Sequence, residues 1–454
     1  MNPVFLIKIS SLLSYPPYSL FYLAASLDKD KIPYRIFFIK PEQTSILLKS
    51  IRNEKPALLC FSLVTDHSIS FTYSLINKIK SLYPKLPVLC GGTHISLFQE
   101  LIFNDMPFDY GCIGFGEEFI NKFYQCFCDK ISLDENLTIF KRSDTKCLFT
   151  NYQLNDIDNY VFADKIIDNF KYNNISSFPL ITSRGCPYDC GFCYCPAVYK
   201  RNWLPHSIEW VKDLFDRINH KFSPKSVDFC DDHFFVNFER GKNIIELINK
   251  PWSAEIRAEL VDNNFAQFVS KTKCKKIFIG VESASSETLN KINKNLSIEQ
   301  IENAISILSK YRINTDLSFI IGFPFETDKT IDLTINFIKN LFSKYKYVNA
   351  SIKLYTPYPN THLWNDSVNA GFKIPVKRND YISMTRFGVI LPWLSEKYRL
   401  IAFSSQYAFS RMTELQRRFH KIYSPIAKLR FRYDFFSLPA ELFLLKVAVK
   451  ISSL

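Results

Sequence analysis

Short apolar runs alternate with amphipathic stretches through the first part of the chain. Runs typical of buried strands occupy Val4–Ile9, Tyr34–Ile39, Ala57–Leu63, Pro87–Cys90 and Tyr110–Gly114. Apolar residues at helical spacing lie between and after them, at Ser19–Leu27, Ile46–Arg52, Phe71–Leu82, Ile95–Phe103 and Glu117–Phe127. This order predicts a doubly wound parallel sheet over residues 1–140, whose ligands would bind outside the carboxyl ends of the strands.

A second alternating region follows a polar stretch, residues 141–176, which lacks clear periodicity and which we interpret as a linker. Strand patterns recur at Phe178–Ser183, Ser226–Cys230, Trp252–Arg257, Lys276–Val281, Thr315–Ile321 and Val348–Tyr355. Helical patterns intervene at Ile208–Asn219, Lys242–Ile248, Asn264–Ser270, Ile298–Lys310 and Ile331–Phe342. Six repeats predict an open (β/α)6 partial barrel over residues 177–375, with its chemistry at the carboxyl ends of the strands. The fold class is therefore α/β.

Composition restricts the class of protein. The chain has 454 residues, 47% of them hydrophobic, which is enough for two or three domains. Twelve cysteines in so long a chain are not a disulfide framework, and no apolar leader with a small-residue cleavage site follows Met1. We therefore expect a reducing, cytoplasmic compartment, in which cysteine more often binds metal. No apolar run reaches the length of a membrane span.

The basic residues are concentrated in the C-terminal region, residues 376–454, which is predicted to be mostly helical. The formal charge of the chain is +13, and residues 395–454 contribute +7 of it, from eleven Lys or Arg and four Asp or Glu. Two interpretations stay open: a helical cap with a solvated basic face, or peripheral contact with the inner face of a membrane. The basic residues considered for this contact are Arg411, Arg417, Arg418, Lys428, Arg430 and Arg432. No nucleic-acid module is found, so we expect no nucleic-acid partner.

Three cysteines at the spacing C-x3-C-x2-C are the most specific chemical signal. Cys186, Cys190 and Cys193 follow the first strand of the second region, and thiolates suit iron–sulfur clusters or zinc. Zinc would require a fourth Cys or His ligand. Cys195 lies close by, but it has no second C-x2-C pair and is expected to be dispensable as a ligand. Three buried core cysteines are the alternative, which the surrounding Gly and Pro residues argue against because they mark a loop.

This loop resembles the cluster loop of the radical S-adenosylmethionine (SAM) enzymes, with Phe192 as the aromatic residue before the third cysteine. The resemblance implies a [4Fe-4S] cluster on the three cysteines, with one open iron that binds SAM. Later strand ends resemble those of cobalamin-dependent members; they are Asp231-Asp232-His233-Phe234, Arg257, Gly280-Val281-Glu282-Ser283, Gly322-Phe323-Pro324 and Pro357-Tyr358-Pro359-Asn360-Thr361. The resemblance covers about residues 1–375. Asn360 stands where the family usually has Gly, although Asn tolerates positive φ nearly as well.

The resemblance also implies roles for these strand-end residues. Glu282 would accept hydrogen bonds from the SAM ribose. Asp231 or Asp232, with Arg257, would hold the amino-acid part of SAM or the substrate. Gly322 and Pro324 would shape the wall beside adenine. Ordinary solvated loop carboxylates remain the alternative for Asp231, Asp232 and Glu282, and their recurrence at strand ends makes this alternative weaker.

The first region resembles the cobalamin-binding domain that precedes many radical SAM domains. Pro16-Pro17-Tyr18-Ser19-Leu20 looks like its opening, and the residues that would contact cobalamin are Gly91, Gly92, His94, Gly114, Gly116 and Glu117. The first loop lacks the D-x-H-x-x-G pattern, so cobalamin would receive no histidine from it. His67 and His94 are interpreted as polar loop residues rather than cobalt ligands. A scaffold that no longer binds cobalamin is the alternative.

Together these features imply a cobalamin-dependent radical SAM enzyme. It would cleave SAM reductively to a 5′-deoxyadenosyl radical and methylate an unactivated carbon. A radical SAM oxidative cyclase, or another rearrangement without methyl transfer, is an alternative within the family. A non-catalytic iron–sulfur or cobalamin electron carrier or sensor is an alternative from another class. An RNA-modifying cluster enzyme is a third, disfavoured because Cys60, Cys90 and Cys112 sit in or beside buried strand runs.

The expected partners follow from this reaction. They are a small-molecule, lipid or peptide substrate and an external one-electron reductant of the flavodoxin or ferredoxin type.

Overall fold

The first sheet contains the five predicted N-terminal strands. The computed structural model describes residues 2–10, 13, 15–66, 68–104, 107–128, 139–142, 145–150, 154, 156–170, 176–377, 380–381, 384, 389–409, 426, 429–431 and 433. The strands are β1 (Val4–Ile9), β2 (Tyr34–Ile39), β3 (Leu58–Ser62), β4 (Val88–Gly91) and β5 (Tyr110–Gly114). The helices are α1 (Tyr18–Lys29), α2 (Thr44–Glu54), α3 (Ile69–Leu82), α4 (Thr93–Phe98) and α5 (Glu117–Cys128). The spatial order β2-β1-β3-β4-β5, all parallel, confirms the doubly wound prediction.

Two strands that the sequence pattern did not indicate extend this sheet. β6 (Ile139–Arg142) and β7 (Thr145–Thr150) pair antiparallel, and β7 lies parallel to β5. The sheet therefore continues past residue 140 into the stretch interpreted as a linker. Their apolar residues, Ile139-Phe140 and Cys147-Leu148-Phe149, stand in consecutive runs, so neither strand shows the alternation by which a half-buried strand is predicted. A short helix, α6 (Asp164–Ile167), follows, with Phe162, Ile166 and Phe170 buried around it.

The second sheet has six parallel strands in sequential order, β8-β11-β12-β13-β14-β15, as an open (β/α)6 partial barrel requires. The strands after β7 are β8 (Phe178–Leu180), β9 (Ser183–Gly185), β10 (Trp203–Pro205), β11 (Val227–Phe229), β12 (Trp252–Ile256), β13 (Cys274–Glu282), β14 (Thr315–Ile321) and β15 (Val348–Leu354). The helices after α6 are α7 (Tyr194–Tyr199), α8 (Ile208–Phe222), α9 (Phe238–Ile248), α10 (Asn263–Lys271), α11 (Ser286–Lys291), α12 (Ile298–Lys310), α13 (Asp328–Lys344), α14 (Trp364–Asn369) and α15 (Glu396–Phe409).

Side-chain caps define where the helices of this second layer begin. Helices α8 to α13 each start after a Ser, Asn, Asp or Thr whose side chain accepts a hydrogen bond from a backbone N–H in the first turn. Each such cap contributes about 1 kcal/mol. The apolar face of every helix then packs on the outer face of the sheet, where Ile277, Leu317 and Ile352 are buried. The opposite face of the sheet points into the open lumen.

The segment after the barrel covers its open edge. Leu391 and Leu394 are buried, and Ser405 of α15 accepts a hydrogen bond from the backbone N–H of Ile352 in the edge strand β15 (2.9 Å). This contact shields an edge that would otherwise be free to pair with another chain. The described part of this segment therefore forms a structural cap. Within the described part of the chain, no helix is long and apolar enough to cross a membrane.

Most of the basic tail lies outside the described residues, including Arg411, Arg417, Arg418, Lys428 and Arg432. His67 also lies outside them. Of the tail residues considered for membrane contact, Arg430 is described and is buried.

Candidate functional site

The three cysteines of the C-x3-C-x2-C motif lie on one loop between β9 and α7. The backbone N–H of Cys193 donates to the carbonyl of Cys190 (3.0 Å), which closes a tight turn. The loop is fastened to the barrel at Gly191, whose N–H donates to the Ile292 carbonyl (2.8 Å) and whose carbonyl accepts from the Leu363 N–H (3.2 Å). All three thiols are free. The barrel thus holds the cysteine loop over the carboxyl ends of its strands.

Positive charge surrounds the middle cysteine. The Arg257 guanidinium donates to the Cys190 sulfur (3.5 Å) and lies over the Tyr188 ring, 3.9 Å from its centroid. The Lys294 ammonium is also close enough to stabilise a thiolate at Cys190, although burial raises the pKa of that thiol overall. Cationic neighbours favour the thiolate form that binds metal. The donor set therefore fits an anionic cluster.

The arrangement fits an iron–sulfur cluster better than a single zinc ion. Among the described residues, no three Cys, His, Asp or Glu side chains converge closely enough to bind one metal ion. A cluster binds each thiolate to a different iron, so its cysteines stand farther apart than ligands of one ion. The Cys195 thiol is buried beside Cys193 and its hydrogen bond lowers the pKa of Cys193. Cys195 therefore contacts a predicted ligand, and its dispensability as a ligand itself remains a prediction.

The two predicted aspartates hold the cysteine loop in place. Asp231 accepts three hydrogen bonds, from the Thr182 N–H (2.7 Å), the Thr182 hydroxyl (2.7 Å) and the Ser183 hydroxyl (2.6 Å). Burial raises the pKa of Asp231 to about 6 against the opposing effect of these bonds. Asp232 accepts from the Gly185 N–H (2.8 Å) and from the Tyr194 hydroxyl. Their described partners belong to the loop, and contact with SAM or substrate remains a prediction.

Glu282 forms a buried ion pair at the end of β13. Its carboxylate accepts from the Lys294 ammonium (2.9 Å), and this raises the pKa of Lys294 although burial alone would lower it. A Cβ at Gly280 would lie 2.4 Å from the same carboxylate oxygen, so the pair depends on a glycine there. Glu282 has φ 68° at a break in strand register. Backbone strain of this kind concentrates at ligand sites.

The other predicted SAM residues meet across the barrel mouth. The Phe192 ring lies 5.8 Å from the Phe323 ring, which places the cysteine loop against the loop of Gly322 and Pro324. Glu326 fixes that loop by accepting from the N–H groups of Gly322 (2.7 Å) and Phe323 (3.0 Å). Trp393 donates to the Gly322 carbonyl (3.0 Å). The cap segment therefore contributes to the same wall.

A glycine-lined cleft opens at the carboxyl ends of the first sheet. One part, of about 580 Å³, is lined by Gly91, Gly92, Gly114, Gly116 and Glu117 together with apolar side chains. A second part, of about 750 Å³, shares Gly92 and Gly114 and is also lined by residues of the second domain, Ile181, Arg184, Val198 and Tyr199. A Cβ at Gly92 would lie 2.6 Å from the Leu63 carbonyl oxygen. The cleft is a cradle that fits a bulky ligand such as cobalamin.

His94 does not face this cleft. It is fully buried, with Nδ1 beside the Thr65 hydroxyl (2.9 Å) and Nε2 beside the Tyr73 hydroxyl (2.6 Å). Burial lowers the pKa of His94 to about 3. Both ring nitrogens are thus engaged by the protein. His94 lies in helix α4 and not in the loop that the sequence pattern predicted, and a role toward cobalamin remains a prediction.

Glu117 connects the cleft to the cysteine loop. Its carboxylate forms an ion pair with Arg184, two residues before Cys186. The Arg184 guanidinium lies over the rings of Tyr22 (4.6 Å) and Phe115 (4.8 Å) of the first domain. The two candidate cofactor sites are therefore adjacent and share one buried ion pair.

For two residues of the site the sequence predicted no role. Lys294 is 12 residues from its partner Glu282 and lies in a loop without a recognisable motif. His233 follows the aspartates, is buried, and has no hydrogen-bond partner on either ring nitrogen among the described residues. Its ring stacks on Tyr188 of the cysteine loop (5.4 Å, 19°). The position of His233 directly after the end of a barrel strand is the feature of the sequence from which its place in the site could have been predicted.

Comparison with known families agrees with this geometry. The model of the B12-binding domain matches residues 6–123, and the model of the radical SAM superfamily matches residues 180–338. Together they cover more than half of the chain. A sheet with a glycine-lined cleft, followed by a partial barrel with a three-cysteine loop, defines a radical SAM enzyme with a B12-binding domain. The chain belongs to the cobalamin-binding radical SAM family.

Curated relatives include methyltransferases and one type of cyclase. The chain is 26% identical to an uncharacterised methyltransferase of Pyrococcus horikoshii over 78% of each chain. It is 27% identical to bacteriochlorophyllide d C-12(1)-methyltransferase of Chlorobaculum tepidum over 60% of this chain, and it spans 58% of that protein. It is 22% identical to anaerobic magnesium-protoporphyrin IX monomethyl ester cyclase of Rubrivivax gelatinosus, over 79% of this chain and 69% of that protein.

Solved structures share the fold. The cobalamin-dependent SAM radical enzyme OxsB superposes with a TM-score of 0.69 at 15% identity, over 100% of this chain and 76% of that one. The radical SAM methyltransferase TsrM of Kitasatospora setae superposes with a TM-score of 0.66 at 15% identity, over 81% of this chain and 78% of that one.

Proposed function

We propose that this protein is a cobalamin-dependent radical SAM enzyme that methylates an unactivated carbon of a small molecule. The observation that carries the proposal is the adjacency of two candidate cofactor sites through the Arg184–Glu117 ion pair. The methyltransferases among its relatives support methyl transfer. When bound, the cofactors would supply an electron that splits SAM, through the cluster, and a methyl donor, through cobalamin.

The residues of this chain bind, orient and exclude water. Cys186, Cys190 and Cys193 would hold the cluster, while Arg257 and Lys294 balance its negative charge. Asp231 and Asp232 fix the loop that carries these ligands.

SAM would lie across the mouth of the barrel. Glu282 would accept hydrogen bonds from its ribose. Phe192, Gly322 and Pro324 would contact its adenine, in a wall that the cap segment closes against solvent. In the first domain, Gly91, Gly92, Gly114 and Gly116 would lie against cobalamin.

Oxidative cyclisation is the second candidate, because a cyclase is among the relatives. The partners we propose are a small-molecule substrate and a flavodoxin- or ferredoxin-type reductant.

Peripheral membrane contact through the basic tail is a separate proposal, supported by its charge of +7. Sedimentation with anionic and neutral vesicles, at low and high salt, tests it. Equal partitioning of the full chain and of a chain ending at Phe409, which keeps the cap helix α15, would reject it.

Product analysis of the anaerobically reconstituted enzyme tests the proposed reaction. With a chemical reductant and SAM, the wild type should form 5′-deoxyadenosine, and methyl transfer should add S-adenosylhomocysteine. Formation of 5′-deoxyadenosine alone would favour cyclisation, and formation of neither would indicate a carrier or sensor.

A matched pair of cysteine variants tests the cluster assignment. Cys190→Ala should lose iron and all SAM cleavage, because it removes a ligand. Cys195→Ala should keep both, because Cys195 contacts a ligand without being one. Retained 5′-deoxyadenosine formation by Cys190→Ala would reject the assignment.

A further inference from the structure

A lysine of the first sheet lines the glycine-lined cleft. Lys8 is the penultimate residue of β1, a strand that lies between β2 and β3 and whose other residues are all buried. Central strands of a parallel sheet are covered on both faces and are normally apolar throughout, so a lysine there is unusual. Lys8 is half-buried and lines the outer part of the cleft, together with Ser62 and Arg184.

The charge of Lys8 is not balanced within the protein. Among the described residues its ammonium donates no hydrogen bond and forms no ion pair. Asp66 acts on it only electrostatically, and its carboxylate accepts instead from the backbone N–H (2.7 Å) and the hydroxyl (2.6 Å) of Ser68. Burial lowers the pKa of Lys8 against the opposing effect of Asp66. The other cation of the cleft, Arg184, is paired with Glu117, so the lining carries one positive charge in excess.

Helix α1 begins at the wall of the same cleft. Its first residue, Tyr18, follows Pro17, which provides no side-chain cap, and its first turn has no acidic residue. The backbone N–H of Ser19 bonds to no carbonyl among the described residues. The Ser19 hydroxyl lies 2.8 Å from the Ser62 hydroxyl, and this contact uses one O–H of the pair and leaves the other available to a ligand. An uncapped helix N-terminus favours an anion.

These donors lie near the junction of the two parts of the cleft. Leu6 pairs with Cys60 in register, so two residues further along these parallel strands Lys8 and Ser62 are neighbours on the same face of the sheet. Ser19 and Ser62 line both parts of the cleft, whereas Lys8 lines the outer part. The inner part beyond them is lined mainly by apolar side chains. The excess positive charge therefore stands at the entrance to an apolar slot.

We propose that Lys8 binds the phosphodiester of cobalamin, with the Ser19 N–H and the Ser19–Ser62 hydroxyl pair as further donors. The phosphodiester is the anionic group among the side chains of cobalamin, and its single negative charge matches that of Lys8. It connects the corrin to the nucleotide base. With the corrin in the outer part of the cleft and the base in the apolar inner part, the phosphodiester lies at their junction. This inference rests on the proposed function, because it takes cobalamin to be the ligand of this cleft.

Absorbance titration of the cobalamin-free full chain tests the proposal. The probes are cobalamin, cobinamide phosphate, which lacks the base, and cobinamide, which lacks both the base and the phosphate. The wild type should bind cobinamide phosphate about tenfold or more tightly than cobinamide. Lys8→Met should remove this difference and weaken cobalamin binding by a similar factor, while its affinity for cobinamide stays that of the wild type. Lys8→Arg, which keeps the charge, should restore most of the difference.

Lys49→Met is the matched control, because it removes the same charge from an exposed position on α2 and should leave all three affinities unchanged. Circular dichroism checks that each variant folds, and the comparison of probes in the wild type needs no variant.

Equal binding of cobinamide phosphate and cobinamide by the wild type would overturn the proposal. An equal loss for all three corrinoids in Lys8→Met would overturn it in favour of contact with the corrin, and no loss for any of them in favour of another anion, such as a substrate carboxylate. These results reject only this inference. Absence of corrinoid binding by the wild type would reject the proposed function as well.

Discussion

At the scale of single residues, the candidate site is marked by groups that would be unfavourable elsewhere. Glu282 has left-handed backbone, and a non-glycine residue in this conformation costs of order 1 kcal/mol or more. His233 is buried, and neither of its ring nitrogens has a hydrogen-bond partner among the described residues. Both residues lie at or near the carboxyl ends of barrel strands, where a ligand could compensate for these costs.

Replacing His233 tests whether its buried nitrogens serve a ligand. His233→Phe keeps the ring that stacks on Tyr188 and removes two unsatisfied polar atoms. The apo protein should therefore be as stable as the wild type or about 1 kcal/mol more stable. If a bound ligand satisfies these nitrogens, the same change should weaken SAM binding about tenfold. Urea unfolding of the apo protein and SAM titration of the holoenzyme check the two expectations; unchanged SAM affinity would contradict the second.

At the scale of elements, the positions of the barrel strands could be predicted from the sequence because each strand is buried on one face. The predicted strands agree with the observed ones to within about three residues, with Thr315–Ile321 unchanged. The first strand was predicted to run to Ser183, but it ends at Leu180 because Asp231 takes the Thr182 N–H and hydroxyl. A carboxylate 49 residues away controls this break, so local pattern could not show it. The hairpin β6–β7 was not predicted because its apolar residues are consecutive and do not alternate with polar ones.

The loop after β15 depends on one asparagine. Asn360 has φ 62°, in the left-handed region that asparagine tolerates better than most residues, and its amide donates to the Leu97 carbonyl of the first domain (2.7 Å). Asn360→Gly should keep the backbone and lose the hydrogen bond, at a cost of about 1 kcal/mol. Asn360→Ala should cost about 1 kcal/mol more, because it adds backbone strain. Chemical unfolding checks this order; an alanine variant as stable as the glycine variant would contradict it.

The cleft of the first sheet offers a clean test of cobalamin binding. Gly92 is unsuitable, because any side chain there would collide with the Leu63 backbone. A Cβ at Gly91 would meet Cys112 only at ordinary contact distance, 3.6 Å. Gly91→Ala should therefore fold and bind cobalamin, whereas Gly91→Leu should fill the cleft and bind at least tenfold less. Cobalt content after reconstitution, with circular dichroism as the folding control, measures this; equal cobalt in both variants would contradict it.

At the scale of the whole molecule, the two domains are joined by polar contacts that no local pattern shows. Arg184 pairs with Glu117, Tyr18 donates to the Pro179 carbonyl (2.7 Å), and Asn360 reaches Leu97. His206 of the barrel lies between the Tyr22 hydroxyl of the first domain (2.6 Å) and the Asp158 carboxylate of the connection (2.7 Å). Motifs predicted both cofactor sites separately, but their adjacency depends on these contacts between distant residues.

Because it is buried, His206 should make the domain contact sensitive to acid. Burial lowers its pKa to about 4, against the opposing effect of Asp158 and with the help of Arg184 and Arg240. The unfolded chain takes up a proton near pH 6.5, whereas the folded protein does not until about pH 4. Between these values the unfolded state binds more protons, so stability falls as pH falls, by about 1 kcal/mol at pH 5.5 for this group.

A glutamine at this position removes the titration while keeping a hydrogen-bonding side chain. His206→Gln should be less stable than the wild type at pH 7.5, because it loses the stacking on Trp210, but should lose about 1 kcal/mol less on transfer to pH 5.5. The buried His94 and His233 contribute equally to both proteins, so they cancel in this comparison. His220→Gln, on the exposed side of α8, is the matched control and should follow the wild type. Urea unfolding at both pH values measures the difference. An acid sensitivity in His206→Gln equal to that of the wild type would show that another group carries it.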